Sequence, residues 1–217
     1  MNLDLLNIIN HQPVTIKQVR YNFNEVMEAI LYLGQKFMPI SSGEKKFILE
    51  EERLNLYTQL IYYFFNDDKF KGDLGKGLFI HGGKGTGKTL ALKIFRALAS
   101  NRLLLSGKGF RMFNCDEIVA DYETSGAKCL SNYYKGNIFF DDIGDENRQA
   151  LHYGTTRNVM KDIMTRRYRE FTDNGSMTYI TSNFNVKLIE QEYGARIEDR
   201  FKEMFNELIL TGESLRK

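Results

Sequence analysis

Over the first 66 residues, apolar positions recur at helical spacing. Phe23, Val26, Met27, Ile30, Leu31 and Phe37 fall every three or four residues and predict one amphipathic helix over about 20–37. The only prolines, Pro13 and Pro39, punctuate this region. After Pro39, Ser41-Ser42 offers an N-cap, and Phe47, Ile48, Leu54, Leu60, Ile61, Phe64 and Phe65 predict a second helix over about 43–65. Residues 1–70 therefore read as a helical N-terminal region.

A polar, glycine-rich break at 66–77 ends that pattern. Beyond it, short apolar runs at 78–80, 110–113, 138–140, 178–181 and 207–210 alternate with segments of helical length. This rhythm predicts an α/β fold over 71–217, a five-stranded parallel sheet covered by helices. At 217 residues the chain has room for one such core and a small satellite.

Composition narrows the function classes. Thirty basic and 28 acidic residues leave a net charge of +2, so any nucleic-acid contact must be local. Cys115 and Cys129 are the only cysteines, too few for a disulfide framework or a cysteine-rich zinc site. The start of the chain lacks a basic segment followed by an apolar core, and the strongest apolar run, 60–65, is far shorter than a membrane span. A cytoplasmic protein with no membrane contact is expected.

The chemistry begins at Gly82-Gly83-Lys84-Gly85-Thr86-Gly87-Lys88-Thr89, which matches G-x-x-x-x-G-K-[ST] between a predicted strand and a predicted helix. Glycines let successive backbone N–H groups turn toward a phosphate, and the helix N-terminus adds its positive end. Lys88 is placed to bridge the terminal phosphates of ATP. Thr89 is placed to give a hydroxyl oxygen to Mg²⁺.

A second apolar strand, 137–140, delivers Asp141 and Asp142 to its carboxyl end, the edge where open α/β sheets bind ligands. Asp141 is read as the Mg²⁺ residue acting through water, and Asp142 as the carboxylate that orients or deprotonates the attacking water. Glu146 is the next candidate for that base. A third strand ends in Thr181-Ser182-Asn183, where the neutral amide of Asn183 is suited to a terminal phosphate or the water. In 193–204, Arg196 and Arg200 lie one helical turn apart. Spacing alone leaves these two either as partners for Glu198 or Glu203 or as groups for a neighbouring subunit's nucleotide.

Together, GLFIHGGKGTGKT, FFDDIGDE, TYITSN, YGARIEDRFKEM and the ending Leu210-Thr211-Gly212-Glu213-Ser214-Leu215-Arg216 resemble the AAA+ ATPases of the DnaC/IstB type, most of all the helicase loaders of the DnaC and DnaI kind. The resemblance covers about 77–217. It implies a P-loop NTPase core of three αβα layers without a C-terminal lid. It also implies ATP hydrolysis with Mg²⁺, Asn183 as sensor, Arg200 as the arginine finger with Arg196 beside it, and self-association into a ring or spiral. The implied partner is a replicative helicase; the alternative is an IstB-like transposition helper acting on DNA and a transposase. Arg216 reads either as a group near the nucleotide or as an exposed terminal arginine. The N-terminal region either meets a partner or pads the core.

Arg157, Lys161, Arg166, Arg167 and Arg169 are expected on one helix whose apolar side carries Met160, Ile163, Met164, Tyr168 and Phe171. That basic face either tracks single-stranded DNA or is simply solvated. A small-molecule kinase would need an acceptor site and an arginine-rich lid, and the sequence offers neither. A nucleotide-dependent module that does not hydrolyse is suggested only by Asp142, where Glu is commoner.

Overall fold

The structure is a computed structural model that describes residues 19–38, 40, 43, 46–100 and 107–215. Pro13, Pro39, Ser41, Ser42 and Arg216 lie outside the described residues. The strands are β1 (Gly77–His81), β2 (Arg111–Asn114), β3 (Ile138–Asp141), β4 (Ala150–His152), β5 (Thr155–Arg157), β6 (Thr178–Ser182) and β7 (Phe205–Ile209). The helices are α1 (Phe23–Phe37), α2 (Glu51–Phe64), α3 (Lys88–Ser100), α4 (Cys115–Ser125), α5 (Val159–Asn174), α6 (Val186–Tyr193) and α7 (Ala195–Met204), with a 3₁₀ segment at Gly126–Tyr133.

Five strands form one parallel sheet in the order β2-β3-β6-β1-β7, and β4 and β5 make a separate antiparallel hairpin. The order explains the layers. From β1 the chain crosses to the far edge at β2, then steps back through β3 and β6 and past β1 to β7. Right-handed crossovers put α3 on one face and α4 to α7 on the other. Side-chain alternation sorts the strands accordingly: Leu78, Ile80, Phe139 and Tyr179 enter the α3 side, while Phe79, Ile138, Phe140 and Ile180 enter the other.

One crossover helix is too narrow to cover five strands, and the N-terminal region completes that face. Leu56, Leu60, Ile61 and Phe64 of α2 and Ile30 of α1 join Leu78, Ile80, Leu92 and Phe95 in one apolar core. Phe64 stacks on Phe95 with ring centroids 4.9 Å apart. The α1 and α2 faces therefore pad the sheet.

The second N-terminal helix is shorter than the apolar pattern predicts. It starts at Glu51, and 46–50 are not helical. Phe47 is buried while Ile48 is 58% exposed, the alternation of extended chain. Phe47 lies against Gly34 of α1, where a Cβ would sit 2.1 Å from its ring, and its backbone N–H donates to Gln35 Oε1 at 2.8 Å. Docking of one phenylalanine onto α1 outweighs the local helical spacing. Among the described residues, no helix is long and apolar enough to cross a membrane. Cys115 and Cys129 are buried free thiols; burial and the nearby Glu146, Asp141 and Asp142 carboxylates push Cys115 well above the usual range.

Candidate nucleotide site

Three neighbouring strands, β3, β6 and β1, end at the same edge, and the residues following them meet in one cavity of about 330 Å³. Its lining includes Lys84, Gly85, Gly87, Lys88, Thr89, Asp141, Asp142 and Asn183. The interposed β6 keeps the loop after β1 one strand away from the acids of β3. Asn183 fills that gap.

Lys88 opens α3 and is buried. Its Nζ donates to Gly82 O at 2.9 Å, to Gly83 O at 2.8 Å and to Asn183 Oδ1 at 2.9 Å. Thr89 Oγ1 donates to Asp141 Oδ1 at 2.7 Å. The same carboxylate oxygen takes a second hydroxyl, from Thr181 Oγ1, at 2.5 Å. Thr181 also accepts from the Asp142 backbone N–H at 3.0 Å, where Asp142 turns the chain at φ +59°. A left-handed conformation is uncommon for a residue with a side chain, and aspartate is among the few that tolerate it. Thr181 was not singled out in the sequence. Its place one strand over from Asp141, with the side-chain hydroxyl buried, was the missing signal.

Beyond Asp142, Asp145 also lines the cavity. Its Oδ2 accepts from Asn183 Nδ2 at 2.6 Å and lies 3.7 Å from Lys84 Nζ. Glu146, in contrast, is buried and engaged on both oxygens, by the Gly144 N–H at 2.6 Å and by the Tyr193 hydroxyl. It fastens the turn after β3 to α6 and is not among the cavity's lining residues.

The 82–89 loop is braced from outside by 210–215. Leu210 N donates to His81 O at 2.8 Å and Leu215 N to Gly85 O at 2.9 Å. Gly85 has φ +80°, and a Cβ there would lie 2.2 Å from Ser214 Oγ, so glycine is required for both the turn and the approach. The brace is tied to α2: Arg53 donates to Glu213 O at 2.5 Å, and Thr211 Oγ1 donates to Glu52 Oε2 at 2.8 Å. Leu215 and, from the end of α1, Phe37 give the cavity an apolar wall together with Leu90.

Arg196 and Arg200 both lie on α7, and neither lines the cavity. Arg200 does not pair with Glu198 or Glu203. Its guanidinium sits 4.9 Å from the Tyr168 ring centroid, Glu198 binds Lys202 at 2.8 Å, and Glu203 accepts from the Tyr168 hydroxyl at 2.6 Å. Partial burial and the neighbouring Arg196 hold Arg200 below the usual arginine range.

The basic run separates on folding. Arg157 belongs to β5, not to the helix, and pairs with Asp162. Lys161, Arg166 and Arg169 are exposed on α5. Arg167 is fully buried: its guanidinium donates to the carbonyls of Tyr134, Gly136, Ser176 and Met177 and to Thr178 Oγ1. It cannot touch DNA, because it staples the starts of β3 and β6 together. The sequence carried the sign of this, since Met160, Ile163, Met164 and Arg167 share one helical stripe.

No protein-family model and no curated protein matches the chain. Among solved structures it is similar to DnaI (21% identity, TM-score 0.53, 83% of this chain and 95% of that one). It is also similar to a protein described as a primosome component from Streptococcus pyogenes serotype M3 (19%, 0.53, 76% and 82%). A third likeness, covering 79% of this chain and 51% of that one, is to AMPPCP-bound DnaA from Aquifex aeolicus (17%, 0.50). At these identities the likeness is one of fold.

Proposed function

We propose that the chain is an AAA+ ATPase that loads a replicative DNA helicase, with 71–217 as the ATPase core. One observation carries the reading: three adjacent strand ends bring Lys88, the Thr89–Asp141 pair, Asp142 and Asn183 to a single cavity beside the glycine-rich loop. Three lysines and three aspartates line it, so the charge of a polyphosphate is balanced only when a divalent cation enters with it. Phe37, Leu90 and Leu215 offer an apolar wall suited to a base.

In this reading the N–H groups of 82–89 hold the phosphates, and Lys88 exchanges the carbonyls of Gly82 and Gly83 for phosphate oxygens. Thr89 and Asp141 fit Mg²⁺: with its proton given to Asp141 at 2.7 Å, the Thr89 hydroxyl oxygen would be left to hold the ion, and Asp141 would hold it through water. Bound there, it would neutralise charge on the phosphates. Asp142 accepts the proton of the attacking water, and Asn183 hydrogen-bonds the terminal phosphate. Arg200, held over Tyr168 outside its own cavity, is the group offered to the next copy's ATP, with Arg196 beside it. Single-stranded DNA contact falls to Lys161, Arg166 and Arg169, the exposed members of the basic run. Helicase contact falls to 1–70, where α1 exposes Leu31 and Tyr32.

Copurification with a hexameric helicase, retained with ATP and lost on hydrolysis, tests the loader reading; a transposase in the helicase's place would overturn it. In the same preparation, Lys88→Ala and Arg200→Ala proteins are each expected to be inactive, and a mixture to exceed their sum. Additive activity from co-assembled mutants would return Arg200 to a local role.

A further inference from the structure

We infer that Asp145 is a positioning residue: it fixes which way the Asn183 amide faces, and so which of its groups a bound terminal phosphate meets. The inference rests on the ATPase reading and names a residue to which that reading gives no individual role.

Asn183 lies between two groups with opposite demands. The Lys88 ammonium has only donors, and an ionised Asp145 carboxylate has only acceptors. With Oδ1 2.9 Å from Lys88 Nζ and Nδ2 2.6 Å from Asp145 Oδ2, both demands are met. Turning the amide over would set its NH₂ group against an ammonium and its carbonyl against a carboxylate. The orientation is thus dictated by the charges on either side.

The two constraints do not last equally through a turnover. When Lys88 moves to phosphate oxygens, the amide loses the partner that held its carbonyl. Asp145 then remains as the group that specifies the orientation, taking one Nδ2 hydrogen and leaving the second for an oxygen in the cavity that Asn183 lines. Lys84 Nζ, 3.7 Å from the same Asp145 oxygen, belongs to the glycine-rich loop and offsets the carboxylate's charge next to the phosphates. The Lys84 side chain is 77% exposed, so this ion pair adds little to stability. What Asp145 supplies is direction.

Hydrolysis kinetics and calorimetric ATP titration of the full chain, carrying Asp145→Ala, Asp145→Asn or Asp145→Lys, test this. Asp145→Ala should lower kcat about tenfold with ATP affinity within about twofold, because orientation matters most in the transition state. Asp145→Asn keeps an acceptor for Nδ2 and should recover to within about threefold of wild type. Asp145→Lys demands an acceptor from the amide, turns it over and should fall lowest. In an Asn183→Ala background, Asp145→Ala should have no further effect. Asp145→Asn as inactive as Asp145→Ala would make Asp145 a proton acceptor. Wild-type kcat in Asp145→Ala would make it a surface ion pair. Either result overturns the inference with the ATPase reading intact, whereas a wild-type chain that binds no ATP removes both.

Discussion

Arg167 and Lys88 are both buried cations, one at each edge of the central sheet, and their surroundings differ in kind. At the amino edge, Arg167 donates to four backbone carbonyls and one hydroxyl, all fixed by the starts of β3 and β6. Each donor is committed, and the guanidinium closes a gap. At the carboxyl edge, Lys88 donates to two carbonyls of its own loop and to one side-chain amide, and it faces a cavity. Those partners can be exchanged for phosphate oxygens. Burial of charge alone does not mark a functional group; what matters is whether its partners are replaceable.

The sharpest way to break the comparison is to remove the committed cation. Arg167→Ala leaves several buried carbonyls without their donor and should cost roughly 3 to 5 kcal/mol of stability, seen as a lower urea midpoint. It should not alter ATP affinity in whatever protein stays folded. A stability loss below about 1 kcal/mol would mean that water replaces the guanidinium at little cost.

At the other edge, Asp142→Asn keeps size and removes charge. Turnover should fall about 10²-fold, the usual contribution of a general base, while ATP binding and stability hold. Unchanged turnover would remove Asp142 from the reaction.

The smallest effect belongs to Lys108, a second buried cation at the amino edge. It donates to Tyr63 O at 2.8 Å and lies 3.6 Å from the Tyr63 ring centroid. Burial pushes it down to about 7, against the attraction of Asp73. Its folded pKa is depressed, so the penalty of a buried charge is complete below about pH 7 and relieved as pH rises toward the unfolded value near 10.5. Lys108→Met should therefore stabilise by about 1 kcal/mol at pH 6 and by less at pH 9. A gain independent of pH would show that Lys108 is not strained by burial.

How much of this was legible in the sequence follows the same division. The three inner strands β1, β3 and β6 were, because parallel strands buried on both faces read as short hydrophobic runs between glycine-rich or polar breaks. The edge strands β2 and β7 lie one or two residues from the apolar runs at 110–113 and 207–210, because their partly exposed faces carry polar residues. That Lys88, Thr89, Asp141, Asp142 and Asn183 meet at one cavity was also legible, because the segments that carry them follow such runs. The β4–β5 hairpin was not. It is three residues per strand around Tyr153-Gly154, too short for alternation to register. Nor was the start of α2, since Phe47 binds a groove on α1 at Gly34 that local spacing cannot reveal. Nor was Asp145, because its side-chain partner Asn183 lies 38 positions away in the chain. Residues whose partners arrive by tertiary folding are the ones that periodicity and motif leave unassigned.

The most direct measurement is a titration of Mg²⁺-ATP into the wild-type chain and into Lys88→Ala, with the melting temperature of each recorded without nucleotide. The account predicts saturable binding by wild type that raises its Tm, no measurable binding by Lys88→Ala, and apo melting temperatures within a few degrees of each other, about what 1 kcal/mol shifts in a chain of this size. Equal binding by both proteins, or no binding by wild type, would contradict it.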